Sequence, residues 1–306
     1  MRCFNNMCQL EDGRVFRVEK STGEATELQG IYVEPGSIVI SPAQQRARKA
    51  WIEQQEKDAE KKKYREMAKN ALGKFYFILT SNLFPDLAPQ VITRMIMLCT
   101  FVDYNGRLML TPKKPLQRED IACTLRLTPT PAYYFWKEVG HKYITERDDG
   151  LYLLPDAACF RGTIPQGIKG QQLQKVYIKA VRALYNATET RKHKQLGYVY
   201  RLLPCINLQY NILCKNPFET NLNMVEPLTV ADLCSILGYE VNQAARLIKE
   251  LRQLKYVFNG KIEYLISYVD NGNSTASNRK IFVNPHVIYN GADYRRVEVL
   301  GSFCQV

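Results

Sequence analysis

The feature that most constrains the fold of this chain is an internal duplication, because one pattern occurs twice between about residue 74 and the C-terminus. Residues 115–139 match residues 227–251 at a constant offset of 112, starting from Pro115 and Pro227. Beyond residues 139 and 251 the two copies continue to match if one extra residue is allowed. A repeat of this kind indicates two copies of one structural unit.

Each copy has the pattern of two short helices joined by a turn and followed by a β-hairpin, the layout of a winged helix-turn-helix. Thr128 and Pro129 mark the start of a helix, and Asp148-Asp149-Gly150 marks a hairpin turn. In the first copy we predict helices at 118–125 and 132–141 and a hairpin of 143–146 with 151–154. In the second copy we predict helices at 229–238 and 240–254 and a hairpin of 264–269 with 280–283.

The fold class that follows is α+β and mainly helical, with tandem winged helix-turn-helix domains, a small N-terminal β element and a long charged helix. A turn signal at residues 21–24 separates two alternating apolar stretches, with a further one at 38–40, and Ser41-Pro42 is typical of a helix start. Further helices are expected at 74–83 and 89–104. The predicted divisions are a β element at 1–42, a connecting helix at 43–73, a first domain at 74–164 and a second at 165–306, which begins with an amphipathic helix at 171–187.

The positive charge is concentrated in the second copy. Residues 165–306 hold 18 Lys and Arg against 10 Asp and Glu, and the whole chain has a formal net charge of +12. Such an excess favours association with phosphate backbones or anionic surfaces. A membrane surface would need a basic amphipathic helix with a large apolar face or a lipidation signal, and neither is found, so no membrane partner is expected.

The second helix of the second copy carries the strongest candidates for base recognition. Asn242, Arg246, Lys249 and Gln253 recur every three or four residues and form one polar stripe, with Gln243 beside it. Such side chains match the hydrogen-bonding groups of base edges in the major groove. A solvated helix without a ligand would show the same outer face, and that alternative stays open. The core-facing side is predicted to consist of Val241, Ala244, Ala245, Ile248 and Leu251.

The first copy is a weaker candidate. Its equivalent stripe is Thr130, Tyr134 and Lys137, with Tyr133 adjacent. The two aspartates at its hairpin tip would repel phosphate, and Phe135 and Trp136 are expected in a core or interface. DNA contact and packing against a partner both stay open for this helix. Further basic candidates for DNA contact are Arg191, Lys192, Lys194, Arg279 and Lys280.

The layout resembles winged helix-turn-helix proteins, specifically the RepL-like plasmid replication initiators of Firmicutes and related proteins carried by their phages. The resemblance lies in residues 94–98 before 103–105, in 120–125, and in the endings 153–162 and 283–291. It covers about 90 residues of the first copy and a diverged version in the second, and it leaves residues 1–70 unaccounted for. It implies a protein that binds DNA at an origin or a promoter.

Other classes of function have little support in the residues. Nine cysteines include no CxxC pair, and His141, His193 and His286 are far apart, so we expect no metal site and no cofactor. The cysteines lie mainly in apolar stretches and are expected to be free thiols of a reducing cytoplasm. No glycine loop of the Walker type occurs, and we expect a protein without enzymatic activity.

The leading hypothesis is therefore a phage or plasmid protein that binds double-stranded DNA sequence-specifically and acts in replication initiation or transcription regulation. The alternative is a phage-encoded factor that uses the winged-helix scaffold to engage a host protein, which the acidic first hairpin and the aromatic first helix favour. A homodimer through the N-terminal region or the first domain is a further partner hypothesis.

Overall fold

The computed structural model describes residues 2–4, 7–12, 14–32, 42–270, 279–291 and 303. The chain is α+β and contains several small sheets. It divides into two compact units, Met1–Lys62 and Lys63–Val306. Within the described ranges, no helix combines the length and the apolar character that crossing a bilayer would require.

The first unit begins with a four-stranded antiparallel sheet whose strands follow chain order: β1 (Arg2–Phe4), β2 (Met7–Gln9), β3 (Arg14–Val18) and β4 (Ala25–Tyr32). The turn signal at 21–24 lies between β3 and β4, as predicted. The strand predicted at 38–40 lies outside the described residues. The charged helix α1 (Pro42–Leu72) begins in the first unit and continues past residue 62 into the second. It forms close to its predicted bounds, and most of its side chains are exposed.

The second unit contains both copies. The elements of the first copy and the segment after it are β5 (Phe75–Leu79), α2 (Pro89–Cys99), β6 (Met109–Thr111), β7 (Lys114–Pro115), α3 (Asp120–Thr124), α4 (Pro129–Val139), β8 (Ile144–Arg147), β9 (Gly150–Leu153) and β10 (Cys159–Phe160). Those of the second copy are β11 (Leu173–Tyr177), α5 (Ile178–Ala187), α6 (His193–Arg201), α7 (Val230–Leu237), α8 (Ala244–Arg252), β12 (Lys255–Phe258), β13 (Lys261–Tyr264), β14 (Ile266–Asp270) and β15 (Arg279–Val283).

Two helix predictions are wrong in part, because each includes residues that form a strand, and the two strands pair with each other. The rest of the second predicted helix is confirmed, since residues 178–187 form α5. Residues 75–79 and 173–177 were expected in helices but form β5 and β11, which pair antiparallel with Phe75 opposite Tyr177. Tyr76 and Ile78 are buried on alternate positions of β5, which is the period of a strand. The partner strand lies about 100 residues away, so local helical spacing was overridden by a long-range contact.

The core of this unit runs through both copies. One cluster of buried side chains includes residues from α2 to α8, and helices α2 and α6 cross closely at Gly197. The domain boundary between residues 164 and 165 stays a prediction; the β5–β11 pair and the shared cluster extend across it.

The hairpins differ from the expected arrangement in the second copy. The hairpin β8–β9 forms around residues 148–149, and β14 pairs with β15 as predicted. A further hairpin, β12–β13, directly follows α8 and turns at Asn259-Gly260, where both residues have positive φ. Because β8–β9 directly follows α4, the counterpart of the first hairpin is β12–β13. The hairpin predicted as the second wing is therefore an additional element.

Candidate nucleic-acid interface

The start of the helix pair in the second copy is fixed by a capping box. The Thr229 hydroxyl accepts a hydrogen bond from the backbone N–H of Asp232, and the Asp232 carboxylate accepts one from the backbone N–H of Thr229 at 2.9 Å. The bonds from Thr229 lower the pKa of Asp232. Gly238 ends α7 in the left-handed conformation, φ 66°. Residues 241–243 then form one 3-10 turn that leads into α8.

Helix α8 packs on a different face from the predicted one. Leu247, Leu251 and Leu254 are buried, whereas Val241 is 64% exposed and Ala245 is also exposed. The correction has a simple physical reason, since three leucines bury more apolar area than alanines and a valine at the helix start. The helix is rotated so that Ala244, Ala245 and Ile248 border an open groove. Of the predicted core positions, only Leu251 is fully buried.

The predicted polar stripe is exposed. Asn242, Gln243, Arg246, Lys249 and Gln253 all lie on the solvent side of this segment. Their accessibility satisfies one requirement for base recognition, since a helix in the major groove must present its polar side chains to the bases.

A groove lies between α8 and β14 and adjoins this stripe. It consists of two cavities of about 740 Å³ and 570 Å³ that share Arg252, Gln253 and Tyr268 as lining residues. We call it the α8–β14 groove. Its cations are Lys192, Lys249, Arg252 and Lys255, and none of the described residues that line it is Asp or Glu.

The composition of the α8–β14 groove suits an anionic ligand of extended shape. The four cations attract phosphate groups, and the apolar floor gives contact area without competing hydrogen bonds. The guanidinium carbon of Arg252 lies 5.8 Å from the centre of the Tyr268 ring, a weak cation–π contact that restrains the side chain. Sequence reasoning missed Arg252, Lys255 and Tyr268, and the Asn259-Gly260 turn signal could have placed Lys255 on a hairpin beside α8.

The remaining basic candidates do not all belong to the groove. Lys192 lines it, but Arg191 forms an ion pair with Glu189, and the Lys194 ammonium lies 5.7 Å from the centre of the Tyr198 ring. In the strand pair, Arg279 and Lys280 lie on β15 opposite residues 270 and 269 of β14. The loop between these strands, residues 271–278, lies outside the described residues.

The first copy presents aromatic rather than basic groups. Thr130, Tyr133, Tyr134 and Lys137 are exposed on α4, and the two tyrosine rings lie 5.6 Å apart in an edge-to-face arrangement. Phe135 and Trp136, expected in a core or interface, are buried. At the hairpin tip, the Asp149 carboxylate forms an ion pair with Arg107 at 3.3 Å, which partly neutralises the acidic tip.

Among the described residues, no group of three or more His, Cys, Asp or Glu side chains is arranged to hold a metal ion. His193 is buried, and burial lowers its pKa, while His286 pairs with Glu263. Comparisons with protein-family models, with curated proteins and with solved structures found no significant match.

Proposed function

We propose that this chain binds double-stranded DNA sequence-specifically and without enzymatic activity, as a winged helix-turn-helix protein with two such units. The observation that carries the proposal is the α8–β14 groove, which adjoins the exposed polar stripe of α8 and whose described lining residues include four cations and no carboxylate. Phosphate contacts would position the duplex, and the stripe would contact base edges. Replication initiation and transcription regulation in a phage or plasmid are the two roles consistent with such binding.

The two copies present different surfaces, so the expected target is asymmetric. A stripe of Asn, Gln, Arg and Lys on α8 and a pair of tyrosines on α4 cannot contact the same base sequence in the same way. Two helices in one chain would place their contacts in successive major grooves, about 34 Å apart. We therefore expect two dissimilar half-sites in one target.

The test is selection from random-sequence duplex DNA, followed by binding across a salt series. An enriched motif together with a steep salt dependence supports the proposal. A steep salt dependence without an enriched motif would show that the protein binds DNA electrostatically and without sequence specificity. Absence of duplex binding even at low salt would reject DNA binding altogether.

Lys255 and Lys261 offer a matched pair of variants. Both are exposed lysines of the β12–β13 hairpin, but only Lys255 lines the α8–β14 groove. Lys255→Ala is expected to weaken binding to specific and random duplexes about equally and to reduce the magnitude of the salt slope by about 1. Lys261→Ala should leave both quantities unchanged, and equal effects of the two substitutions would exclude the groove as the phosphate site.

A second function, the binding of a host protein, is favoured by the exposed tyrosine pair of α4. Tyr133 is 60% exposed and Tyr134 is 57% exposed, and aromatic side chains of this kind often anchor protein interfaces. The expected result is retention of one host protein that resists high salt and is lost in the Tyr133→Ser/Tyr134→Ser variant. A variant that retains the same protein would reject this surface.

A further inference from the structure

Arg246 is held in place by a carboxylate of its own helix. Its Nε donates a hydrogen bond to Glu250 Oε1 at 2.9 Å, one turn further along α8. The other carboxylate oxygen, Oε2, accepts a hydrogen bond from the side-chain amide of Gln195 on α6 at 3.1 Å. Glu250 therefore connects Arg246 to a second helix of the fold.

The two partners of this ion pair differ in exposure. The side chain of Arg246 is 75% exposed, whereas that of Glu250 is 22% exposed. Only Nε of Arg246 is used, so within the described residues the two terminal amino groups make no hydrogen bond. Those amino groups supply the two donors that an arginine needs to contact O6 and N7 of guanine.

The ion pair also changes what Arg246 contributes electrostatically. Glu250 compensates its positive charge, so Arg246 adds little to counterion release, which depends on uncompensated cations. Lys249 and Arg252, in contrast, line the α8–β14 groove, whose lining residues include no carboxylate in the part of the chain that the structure describes. Helix α8 thus carries two kinds of cation. The charge of Arg246 is neutralised and its side chain is oriented, whereas Lys249 and Arg252 are placed to contact phosphate.

We propose that Glu250, anchored by Gln195, is the positioning residue that presents the terminal amino groups of Arg246 to a guanine in the major groove. This inference rests on the proposed binding of duplex DNA. An arginine restrained before binding loses less side-chain freedom on contact, and its geometry then favours one base. Glu250 therefore increases the discrimination between sequences, while its negative charge lowers the affinity for DNA in general.

The experiment uses the full chain and three duplexes: the selected site, the same site with the contacted guanine replaced, and a random sequence. Arg246→Ala is expected to weaken binding to the selected site by roughly 5- to 150-fold, and to weaken binding to random DNA only slightly, through the charge of Glu250 that is then uncompensated. Glu250→Gln should lose most of the discrimination between the first two duplexes while binding random DNA as tightly as the wild type or more tightly. In the double variant the loss of discrimination should equal that of Arg246→Ala alone, because both changes act through one side chain.

The control is Glu240→Gln, which removes an exposed carboxylate close to the same helix without touching Arg246. It should raise affinity for all three duplexes slightly and leave discrimination intact. If Glu250→Gln is poorly folded, Gln195→Ala removes only the anchor and should cause a smaller loss of discrimination in the same direction.

Two results would overturn the proposal while leaving DNA binding in place. One is a Glu250→Gln variant that tightens binding to all three duplexes equally, as the control does, because Glu250 would then act only as a negative charge. The other is a wild-type protein that binds DNA without an enriched motif. Absence of any duplex binding by the wild type would reject the proposed function and this inference together.

Discussion

Replacement of Gly197 by alanine is expected to destabilise the fold by about 3 kcal/mol, because an added methyl group has no space. Gly197 is buried in α6 where this helix crosses α2. A Cβ at this position would overlap the carbonyl group of Pro89 and lie 2.8 Å from its Cα. These are backbone atoms at the start of α2, so the two helices would have to separate. That separation would disturb the core shared by both copies.

The measurement is the free energy of unfolding by chemical denaturation, together with the yield of soluble protein. Gly167→Ala is the matched control, since a Cβ there would meet no heavy atom within 4 Å and its φ is not positive. The control is expected to change stability by no more than about 0.5 kcal/mol. Similar unfolding midpoints for the two variants would contradict the close approach of α2 and α6 at Gly197.

The second large effect is expected at Glu263, a carboxylate that is only 3% exposed. Its Oε2 accepts hydrogen bonds from Asn284 Nδ2 at 3.0 Å and from Tyr256 Oη at 3.2 Å, and His286 Nδ1 lies 2.7 Å away. Glu263 thus connects the β12–β13 hairpin to the segment after β15. Glu263→Ala is expected to cost about 3 kcal/mol or more, because it removes a buried charge from its partners.

The same site gives a dependence on pH. Burial alone would raise the pKa of Glu263, but the hydrogen bond and the charge of His286, with Asn284 and Tyr256, outweigh burial and lower it below its ordinary 4.5. A carboxyl group with a lowered pKa stabilises the folded state above its unfolded pKa, and this contribution is lost as the pH falls through the folded pKa. The difference in free energy of unfolding between the wild type and Glu263→Gln should therefore have its full size near pH 6 and become smaller below about pH 4.5.

Denaturation of both proteins at several pH values would measure this difference. Glu240→Ala is a suitable control, because Glu240 is exposed and its replacement should alter stability by less than about 0.5 kcal/mol at any pH. A difference between wild type and Glu263→Gln that stays constant from pH 6 to pH 3 would contradict the role assigned to the buried carboxylate.

Short-range signals predicted much of the second unit. Thr229 with Asp232 marked the start of α7, Gly238 marked its end, and Asp148-Asp149-Gly150 marked the turn between β8 and β9. Each of these features depends on hydrogen bonds or backbone angles within a few residues, so a sequence window contains the required information. The Asn259-Gly260 turn between β12 and β13 is a signal of the same class.

Long-range packing produced the errors. Residues 75–79 and 173–177 have apolar spacing compatible with a helix, and they form strands because β5 pairs with two distant strands, β11 and β10. In α8 the polar stripe was predicted correctly as exposed, but the choice between leucines and alanines as the inward face depended on what α8 packs against. The α8–β14 groove followed from that rotation, so Arg252 and Tyr268 could not have been recognised beforehand.

The amino-acid sequence by itself determined the duplication, the helix pairs, the first hairpin and the concentration of positive charge in the second copy, because composition, spacing and turn chemistry are local properties. The tertiary structure decided how strands from the two copies pair, which side of α8 is buried, and which cations meet in one groove. Those features depend on contacts between residues far apart in the chain. The free energy of such contacts is set by the buried apolar area and the hydrogen bonds that form only in the folded arrangement.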